Sequence, residues 1–424
     1  MTQGWVKPPL PLCPTGPKLA GMSATVFLLV PVSVRGEARP LGRSPLGWLR
    51  NRARRALDLA HWRVGGTPAL HFSTWQDADR CNRGDAAIRL ASLDLLRQAF
   101  GPDTPLEAVG WDELAGLDPD AVSARARLFV LGGGGYVAIG PGGRLAPRLV
   151  RDLAWLRRLR CPVASFAPGV NRALGECDGE ALDAAGRATL AELLGLLALS
   201  SARDAHSCRV LDLAAPGRPR LLADPALFLA APARPAAPPA TPNDGCLTVG
   251  LNLAFHDADV SRLLPARLRL VAAVARDLAR QRPCRFVYFV HDQPERLIPR
   301  LLRQEGVAVR VVDAPPAQML AEYQRLDLHV CQMLHSSILA FAAGVPAIAL
   351  AYDVKNAGLF EMLGLAEFCL SGAAPPLAAA IADALARGPA LRRQIATRTA
   401  ALRAETDAYL AEMAALARPP EHGS

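Results

Sequence analysis

Short apolar runs alternate with longer amphipathic stretches along the whole chain. In the first half, strands are predicted at 25–31, 126–131 and 162–166, and helices at 85–99, 146–159 and 180–199. In the second half, strands are predicted at 247–253, 285–290, 308–312, 327–331 and 347–351, and helices at about 261–281, 294–305 and 316–325. Short buried strands alternating with helices predict an α/β protein with parallel sheets that are covered on both faces.

The clearest domain boundary is a proline-rich segment, residues 231–244. Its composition predicts a semi-stiff linker. We therefore predict an N-terminal domain over 22–230, a second domain over 245–372, and C-terminal helices and tail over 373–424, in which the helical stretch 377–416 braces both domains. Residues 1–21 contain five prolines and are predicted to be a disordered tail or to precede the true start at Met22.

Composition narrows the function classes. The chain has 424 residues, enough for two cores, and 51% of them are apolar. Its net charge of +9 comes almost wholly from arginine, and no motif supports nucleic-acid binding. The nine cysteines are scattered, which predicts a reducing cytoplasm and neither a disulfide framework nor a metal site. No apolar run is long enough for a spanning helix.

An arginine-rich segment at 35–63 separates the first strand from the first motif. It contains eight arginines and a set of apolar residues that could share one face, Leu46, Trp48, Leu49, Leu57 and Trp62. The simpler interpretation is a solvated helix. The alternative is peripheral contact with a membrane surface or with a lipid-linked substrate, and the sequence leaves both open.

Two glycine-containing motifs are candidates for ligand contact. The sequence Asn82–Asp85 precedes a predicted helix and is either an ordinary N-cap or a tight turn that presents Asn82 and backbone amides to a ligand. Four glycines, Gly132–Gly135, follow a strand and leave amides free to approach an anion or a sugar. Their spacing fits neither a Walker loop nor a dinucleotide fingerprint.

The segment from Val330 to Lys355 is the strongest signal. It predicts a strand, a loop, a short helix that begins near His335, a glycine stop and another strand. His335, Ser336 and Ser337 are predicted at the helix start, where amides favour an anion. Tyr352, Asp353 and Lys355 are predicted at the carboxyl end of the next strand, and Lys355 is the only lysine after Lys18. A compact ammonium in an arginine-rich chain indicates a binding site.

Taken in order, these motifs resemble those of the polysaccharide pyruvyl transferase family. The matching segments are NRGD at 82–85, GGGG at 132–135, ARDAHS at 202–207, DPA at 224–226 and LHSSILAFAAGVPAIALAYDVK at 334–355. The resemblance implies two facing Rossmann-like domains in a GT-B-like arrangement. It also implies transfer of pyruvate from phosphoenolpyruvate, as co-substrate, to two hydroxyls of a cell-surface glycan or its precursor, without a bound cofactor.

The resemblance further assigns residues to roles. Arg203 and His335 fall on donor-binding and catalytic positions, with Lys355 predicted to bind phosphate. Asn82, Asp85, Gly133, Gly134, Gly135, Ser336 and Tyr352 are predicted to line the donor and substrate site. Members of the family usually have arginine two residues before this histidine, where the present chain has Met333. Lys355, Arg203 or Arg172 are candidates to replace that cation.

Two other functions stay open from the sequence. A nucleotide-sugar glycosyltransferase of the same architecture would need a carboxylate for the ribose, for which Glu361 is the candidate. A non-catalytic glycan- or anion-binding protein is favoured by Met333. The identity of the acceptor, its linkage to lipid and the oligomeric state are not fixed by the sequence.

Overall fold

The computed structural model describes residues 25–31, 45–64, 82–171, 182–230, 245–255, 258–372 and 375–418. The predicted disordered tail, the linker at 231–244 and Arg172 lie outside these residues. Within them, two large parallel sheets are found, one in each half of the chain, together with two two-stranded pairs. The central strands of both large sheets are short apolar runs that are buried, as the hydrophobic pattern predicts.

The first half contains a five-stranded parallel sheet in the order β2-β1-β3-β5-β7. Its strands are β1 (Thr25–Val30), β2 (Leu106–Gly110), β3 (Ala126–Leu131), β5 (Val163–Ser165) and β7 (Leu197–Leu199). Two small pairs flank it, β4 (Gly134–Ala138) with β6 (Pro168–Asn171), and β8 (Ser201–Ala202) with β9 (Arg220–Leu221). The helices are α1 (Pro45–Arg63), α2 (Arg83–Phe100), α3 (Pro119–Arg125), α4 (Pro147–Leu156), α5 (Ala184–Leu196) and α6 (Ala205–Asp212).

The second half contains a six-stranded parallel sheet in the order β12-β11-β10-β13-β14-β15. Its strands are β10 (Leu247–Leu251), β11 (Cys284–Phe289), β12 (Arg310–Val312), β13 (Leu328–Cys331), β14 (Ala347–Leu350) and β15 (Cys369–Leu370). The helices are α7 (Ala258–Gln281), α8 (Ile298–Gln304), α9 (Pro316–Tyr323), α10 (Leu334–Ala342), α11 (Val354–Met362), α12 (Leu377–Ala386) and α13 (Gly388–Leu416).

Helix α13 joins the two halves. Near its start, Arg392 donates to the carbonyls of Leu326 (2.7 Å) and Gly344 (3.0 Å) in the second half. Near its end, Tyr409 is buried against the first sheet and donates to the carbonyl of Ser165 at 2.7 Å. The predicted α/β class, with two facing sheets and a C-terminal helical brace, is confirmed.

Several element bounds differ from prediction for local reasons. The helix predicted at 180–199 ends at Leu196, and the next three residues form strand β7 beside β5. The helix predicted at 294–305 is a 3₁₀ turn (Gln293–Leu297) followed by α8, in which Pro299 occupies the first turn. The single stretch 377–416 divides at Arg387 into α12 and α13.

The arginine-rich segment forms helix α1, whose last turn packs on the second half. Trp62 is buried, and its Nε1 donates to Glu305 Oε1 at 3.0 Å. Leu57, by contrast, is exposed, so the predicted apolar set does not all share one buried face. Across the residues with assigned structure, every helix is too short or too polar to cross a membrane.

Candidate functional site

Arg203 and His335 come from opposite halves of the chain and meet at Asp224. Arg203 directly follows strand β8, and His335 lies in the first turn of α10. Arg203 Nη1 lies 3.3 Å from Asp224 Oδ2, and His335 Nε2 lies 3.6 Å from the same oxygen. All three residues are buried: the exposed fraction is 4% for Arg203, 9% for His335 and 3% for Asp224. The Asp224 carboxylate therefore lies between the guanidinium of Arg203, which can bind an anion, and the imidazole of His335, which can transfer a proton.

Asp224 is fixed in place by a backbone amide and by the side chains of Arg203 and His335. Its Oδ1 accepts a hydrogen bond from the amide of Ala226 at 3.0 Å, which caps the 3₁₀ turn Pro225–Phe228. Burial acts to raise the pKa of Asp224, but His335, Arg203 and the Ala226 amide together lower it below its ordinary value. Asp224 is therefore held as a carboxylate at neutral pH.

The guanidinium of Arg203 is held from several sides. Its Nη2 lies 3.4 Å from Asn171 Oδ1, and its Nε lies 3.5 Å from Asp204 Oδ2. Gly169 makes this position possible, because a Cβ there would come within 2.2 Å of the Arg203 Nε. A glycine on strand β6 is thus required by the close approach of the side chain.

Two buried nitrogens at this point have no hydrogen-bond partner among the described residues. They are the Nε of Arg203 and the Nε2 of His335. Buried polar atoms without a partner are rare in folded proteins and often mark a place where a ligand binds. Arg203 Nε lies 3.5 Å from Asp204 Oδ2 and His335 Nε2 lies 3.6 Å from Asp224 Oδ2, so both atoms belong to the same group of buried charged residues.

The first turn of α2 closes one side of the site. Asn82 Oδ1 accepts from the amides of Gly84 (2.9 Å) and Asp85 (3.3 Å). Asn82 is therefore the helix N-cap, the simpler of its two interpretations, and none of these contacts places it against a ligand. Gly84 lies against the imidazole: a Cβ at this position would be 2.2 Å from His335 Nδ1.

Asp85 belongs to the same electrostatic cluster. Burial raises the pKa of its carboxyl above the ordinary value, opposed by the charges of His335 and Arg203. Asp292 adds to the rise and Lys355 opposes it. A carboxyl with a raised pKa beside a histidine can take part in proton transfer near neutral pH.

Lys355 also belongs to this cluster. Its Nζ lies 3.2 Å from Asp353 Oδ2 and 5.3 Å from the centre of the Tyr352 ring. Burial disfavours the ammonium, but Tyr352 and Asp353 outweigh burial and raise the pKa of Lys355. The charge of Arg203 acts to lower the pKa of Lys355, and both cations act to lower the pKa of Asp85. Lys355, Arg203 and His335 thus contribute to one electrostatic cluster around Asp85, although they come from distant parts of the chain.

The four glycines have mainly a packing role. A Cβ at Gly132 would meet the carbonyl oxygen of Leu29 at 2.6 Å, and one at Gly133 would meet Ile88 at 3.0 Å. Gly134 has a φ of +95° and begins strand β4. Gly135 would collide with Asn171, the partner of Arg203. Close packing explains these glycines, and the predicted contacts of Gly133, Gly134 and Gly135 with a ligand stay a prediction.

The Ser336 side chain is held in the core of the second half, and the contact of this residue with ligand stays a prediction. Ser336 Oγ is fully buried and forms hydrogen bonds with the Tyr323 hydroxyl (2.8 Å) and His329 Nε2 (2.7 Å). Its amide donates to the carbonyl of Met333 at 3.0 Å. Ser336 lies on the face of α10 that packs on the second sheet. There it joins a hydrogen-bond network that also contains His291, Tyr323 and His329.

Met333 occupies the N-cap position of α10 and is buried beside Tyr352 and Ala254. The Tyr352 hydroxyl lies 3.9 Å from its Sδ, and its amide donates to Asn252 Oδ1 at 3.1 Å. An apolar contact thus replaces a cation at this position. Of the three candidate replacements, Lys355 and Arg203 lie in the cluster, and Arg172 lies outside the described residues.

Sequence reasoning missed two kinds of functional residue. Asp224 was visible only as part of a short motif, and the Asp-Pro signal of a capped turn could have singled it out. Gly84 and Gly169 owe their importance to side chains that arrive from distant segments. No metal-binding group of histidine, cysteine or acidic residues was found among the residues that the structure describes.

Two α/β halves and a buried charged cluster to which both contribute are thus the main features of the fold and the site. A family model of polysaccharide pyruvyl transferases matches residues 82–354, which is more than half of the chain; the match includes Arg203, Asp224 and His335 and ends one residue before Lys355. The chain therefore belongs to the polysaccharide pyruvyl transferase family. No curated protein matches the sequence.

Solved structures resemble the chain at low identity. They include the S. aureus MnaA–UDP co-structure (9% identity, TM-score 0.48, covering 74% of this chain and 88% of that chain). Anabaena HepE in complex with UDP and glucose gives 13% identity and a TM-score of 0.42, with coverage of 93% and 98%. The trehalose 6-phosphate synthase of Burkholderia multivorans gives 14% identity and a TM-score of 0.45, covering 94% of this chain and 97% of that chain. At these values the similarities carry no weight for function.

Proposed function

We propose that this protein transfers the pyruvyl group of phosphoenolpyruvate to two hydroxyls of a saccharide, forming a cyclic ketal and releasing phosphate. One observation carries the proposal: Arg203 and His335 converge on Asp224, each with a buried nitrogen that lacks a hydrogen-bond partner. Membership of the family supports the reaction class.

The donor would be held by charge. Phosphoenolpyruvate carries a carboxylate and a phosphate, and both are bound best by charge-assisted hydrogen bonds. The Arg203 Nε and the Lys355 ammonium are the donors available in the cluster. Asp224 and Asp353 already pair with these cations and hold them in position, and Lys355 takes the phosphate.

The reaction needs three proton transfers. The first sugar hydroxyl attacks C2 of the enol and gives up its proton, while C3 accepts a proton and becomes a methyl group. The second hydroxyl then bonds to C2 and loses its proton to the departing phosphate as the C–O bond to phosphate breaks. His335 moves one of these protons and Asp85, whose pKa burial raises, is the second candidate.

The test is a direct measurement of transfer. Purified protein is incubated with phosphoenolpyruvate and a panel of saccharides, and both phosphate release and the mass of a pyruvyl ketal are measured. We expect transfer by the parent and a loss of about 100-fold or more in His335→Gln. His61→Gln, which changes an exposed histidine on α1, is the matched control and keeps full activity. Equal transfer by His335→Gln and the parent contradicts the assignment.

A non-catalytic binding protein is the second candidate, favoured by the apolar residue Met333 where a cation is usual. Binding of phosphoenolpyruvate without phosphate release under any acceptor would support it. A nucleotide-sugar glycosyltransferase gains no support, because the candidate ribose ligand Glu361 is exposed. Stabilisation by a nucleoside diphosphate and not by phosphoenolpyruvate would reverse that order.

The partners and location follow as proposals. We infer that the acceptor is a cell-surface glycan or its precursor, lipid-linked or free, and that the reaction takes place in the cytoplasm. All six cysteines among the described residues are free thiols, which is typical of a reducing compartment. Arg54 on α1 is exposed, which agrees with either a solvated helix or peripheral contact with a membrane.

A further inference from the structure

A polar cavity lies at the start of α2, where Arg83 precedes the glycine that contacts His335. Its volume is about 200 Å³, and it is lined by residues of both halves, among them Arg83, His291, Asp292, Arg296 and Asp313. It adjoins the carboxyl end of strand β11, the edge at which parallel sheets bind ligands. Its volume is below the roughly 300 Å³ at which pockets for drug-sized ligands begin.

The cavity has polar groups of both signs in balance. Arg83 Nη2 lies 3.1 Å from Asp313 Oδ1, and Arg296 Nε lies 2.6 Å from Asp313 Oδ2. With Asp292, two guanidinium groups are matched by two carboxylates. Burial lowers the pKa of His291 well below its ordinary value, so this imidazole is neutral. A charge-balanced cavity disfavours a phosphate and suits a neutral ligand with many hydroxyl groups.

The lining groups also match what a sugar offers. A hydroxyl both donates and accepts hydrogen bonds, so it needs donors and acceptors side by side. The guanidinium groups of Arg83 and Arg296 provide donors, and the Asp313 carboxylate between them provides acceptors, in a fixed arrangement. His291 adds a buried Nδ1 that has no hydrogen-bond partner among the described residues, while its Nε2 is engaged with the Tyr323 hydroxyl at 2.9 Å.

The cavity is within one residue of the reacting centre. Arg83 lines it, and the next residue, Gly84, lies against the imidazole of His335. Consecutive Cα atoms are about 3.8 Å apart. The amide of Arg83 also donates to the carbonyl of His291 at 2.8 Å, which ties the start of α2 to the end of β11. A ring held here would present its hydroxyls to His335.

We propose that this cavity binds one pyranose ring of the acceptor, with the Arg83–Asp313–Arg296 network holding its hydroxyls at the start of α2, next to His335. The assignment rests on the proposed function, since it names the place of the acceptor in that reaction.

Binding of simple glycosides tests the assignment without requiring transfer. The probes are methyl β-D-galactopyranoside, methyl β-D-glucopyranoside and methyl α-D-mannopyranoside, observed by saturation-transfer NMR with the full chain, with and without phosphoenolpyruvate. We expect at least one glycoside to bind, and Arg296→Ala to weaken its affinity about tenfold. Arg300→Ala, an exposed arginine on α8, is the matched control and leaves the affinity unchanged.

The outcomes separate this assignment from the proposed function. Loss of glycoside binding in Arg296→Ala, together with an absence of pyruvyl transfer in the parent, keeps the sugar site and removes the transferase. Pyruvyl transfer with an acceptor KM that is the same in Arg296→Ala and the parent overturns the sugar site and keeps the transferase. Failure of all three glycosides to bind under both conditions also overturns it.

Discussion

Replacing Gly84 by alanine moves His335, the residue proposed to transfer a proton, without removing it. The added Cβ would lie 2.2 Å from Nδ1, 2.4 Å from Cγ and 2.7 Å from Cβ of His335. An ordinary contact of this kind is 3.4 Å or more, so the imidazole has to retreat by over 1 Å. Because the Cβ of His335 is itself too close, rotation of the ring alone cannot relieve the contact.

The expected loss of activity follows from this displacement. A misplacement of about 1 Å in a catalytic group can cost about 100-fold in rate, and we expect that loss in the kcat for pyruvyl transfer by Gly84→Ala. The effect on stability is small. Overpacking costs about 1–3 kcal/mol, and replacing glycine in a helix recovers up to about 1 kcal/mol.

The assay is phosphate release at saturating phosphoenolpyruvate, with thermal unfolding measured on the same samples. Gly195→Ala is the matched control, because a Cβ at this position in α5 meets no atom within 4 Å. We expect it to keep full activity and to gain about 0.5–1 kcal/mol of stability. A Gly84→Ala variant with the parent's kcat would refute the placement of His335 against α2.

Three further changes are expected to have measurable effects. Asp224→Asn is expected to lower kcat about 100-fold or more without raising the KM for phosphoenolpyruvate. His335 loses its carboxylate partner, while Arg203 loses a carboxylate that competes with the donor for its guanidinium. Steady-state kinetics that show a raised KM and an unchanged kcat would contradict this prediction. Asp85→Asn is expected to raise the unfolding temperature at pH 8 but not at pH 4. A carboxyl whose pKa is raised in the folded protein contributes stability that is lost as pH rises through that pKa. Equal gains in unfolding temperature at both pH values would contradict the raised pKa of Asp85. Burial lowers the pKa of His329 to about 3, so the free energy of unfolding falls as pH drops from about 6.5 towards 3. His329→Gln is expected to reduce the slope of the free energy of unfolding against pH by about 1.4 kcal/mol per pH unit. Denaturant titrations that give the same slope for variant and parent would contradict the lowered pKa of His329.

The sequence predicted the sheets well where strands are continuous apolar runs, such as β1 and β14. It missed β2, because Glu107 interrupts the apolar run of this half-buried edge strand and pairs with Arg125. It also missed β7, which continues directly from the apolar end of α5 without a turn residue. In both places the strand is defined by its neighbour in the sheet.

The candidate site was predictable as a set of residue types but not as a geometry. Arg203, His335 and Lys355 were found from motifs, and the structure brings them together. Ser336 was predicted from its place at a helix start; a serine there can face a ligand or the core, and hydrogen bonds with Tyr323 and His329 hold its side chain in the core. Asp224 joins Arg203 to His335 only through tertiary folding.

The most direct measurement is a crystal structure of the protein with phosphoenolpyruvate bound. If the account is right, the donor lies between the two halves, with its anionic oxygens within hydrogen-bond distance of Arg203 Nε and Lys355 Nζ, and with His335 Nε2 facing the enol carbons. Donor density on any other surface, with Arg203 and His335 still closed on Asp224 alone, would contradict it.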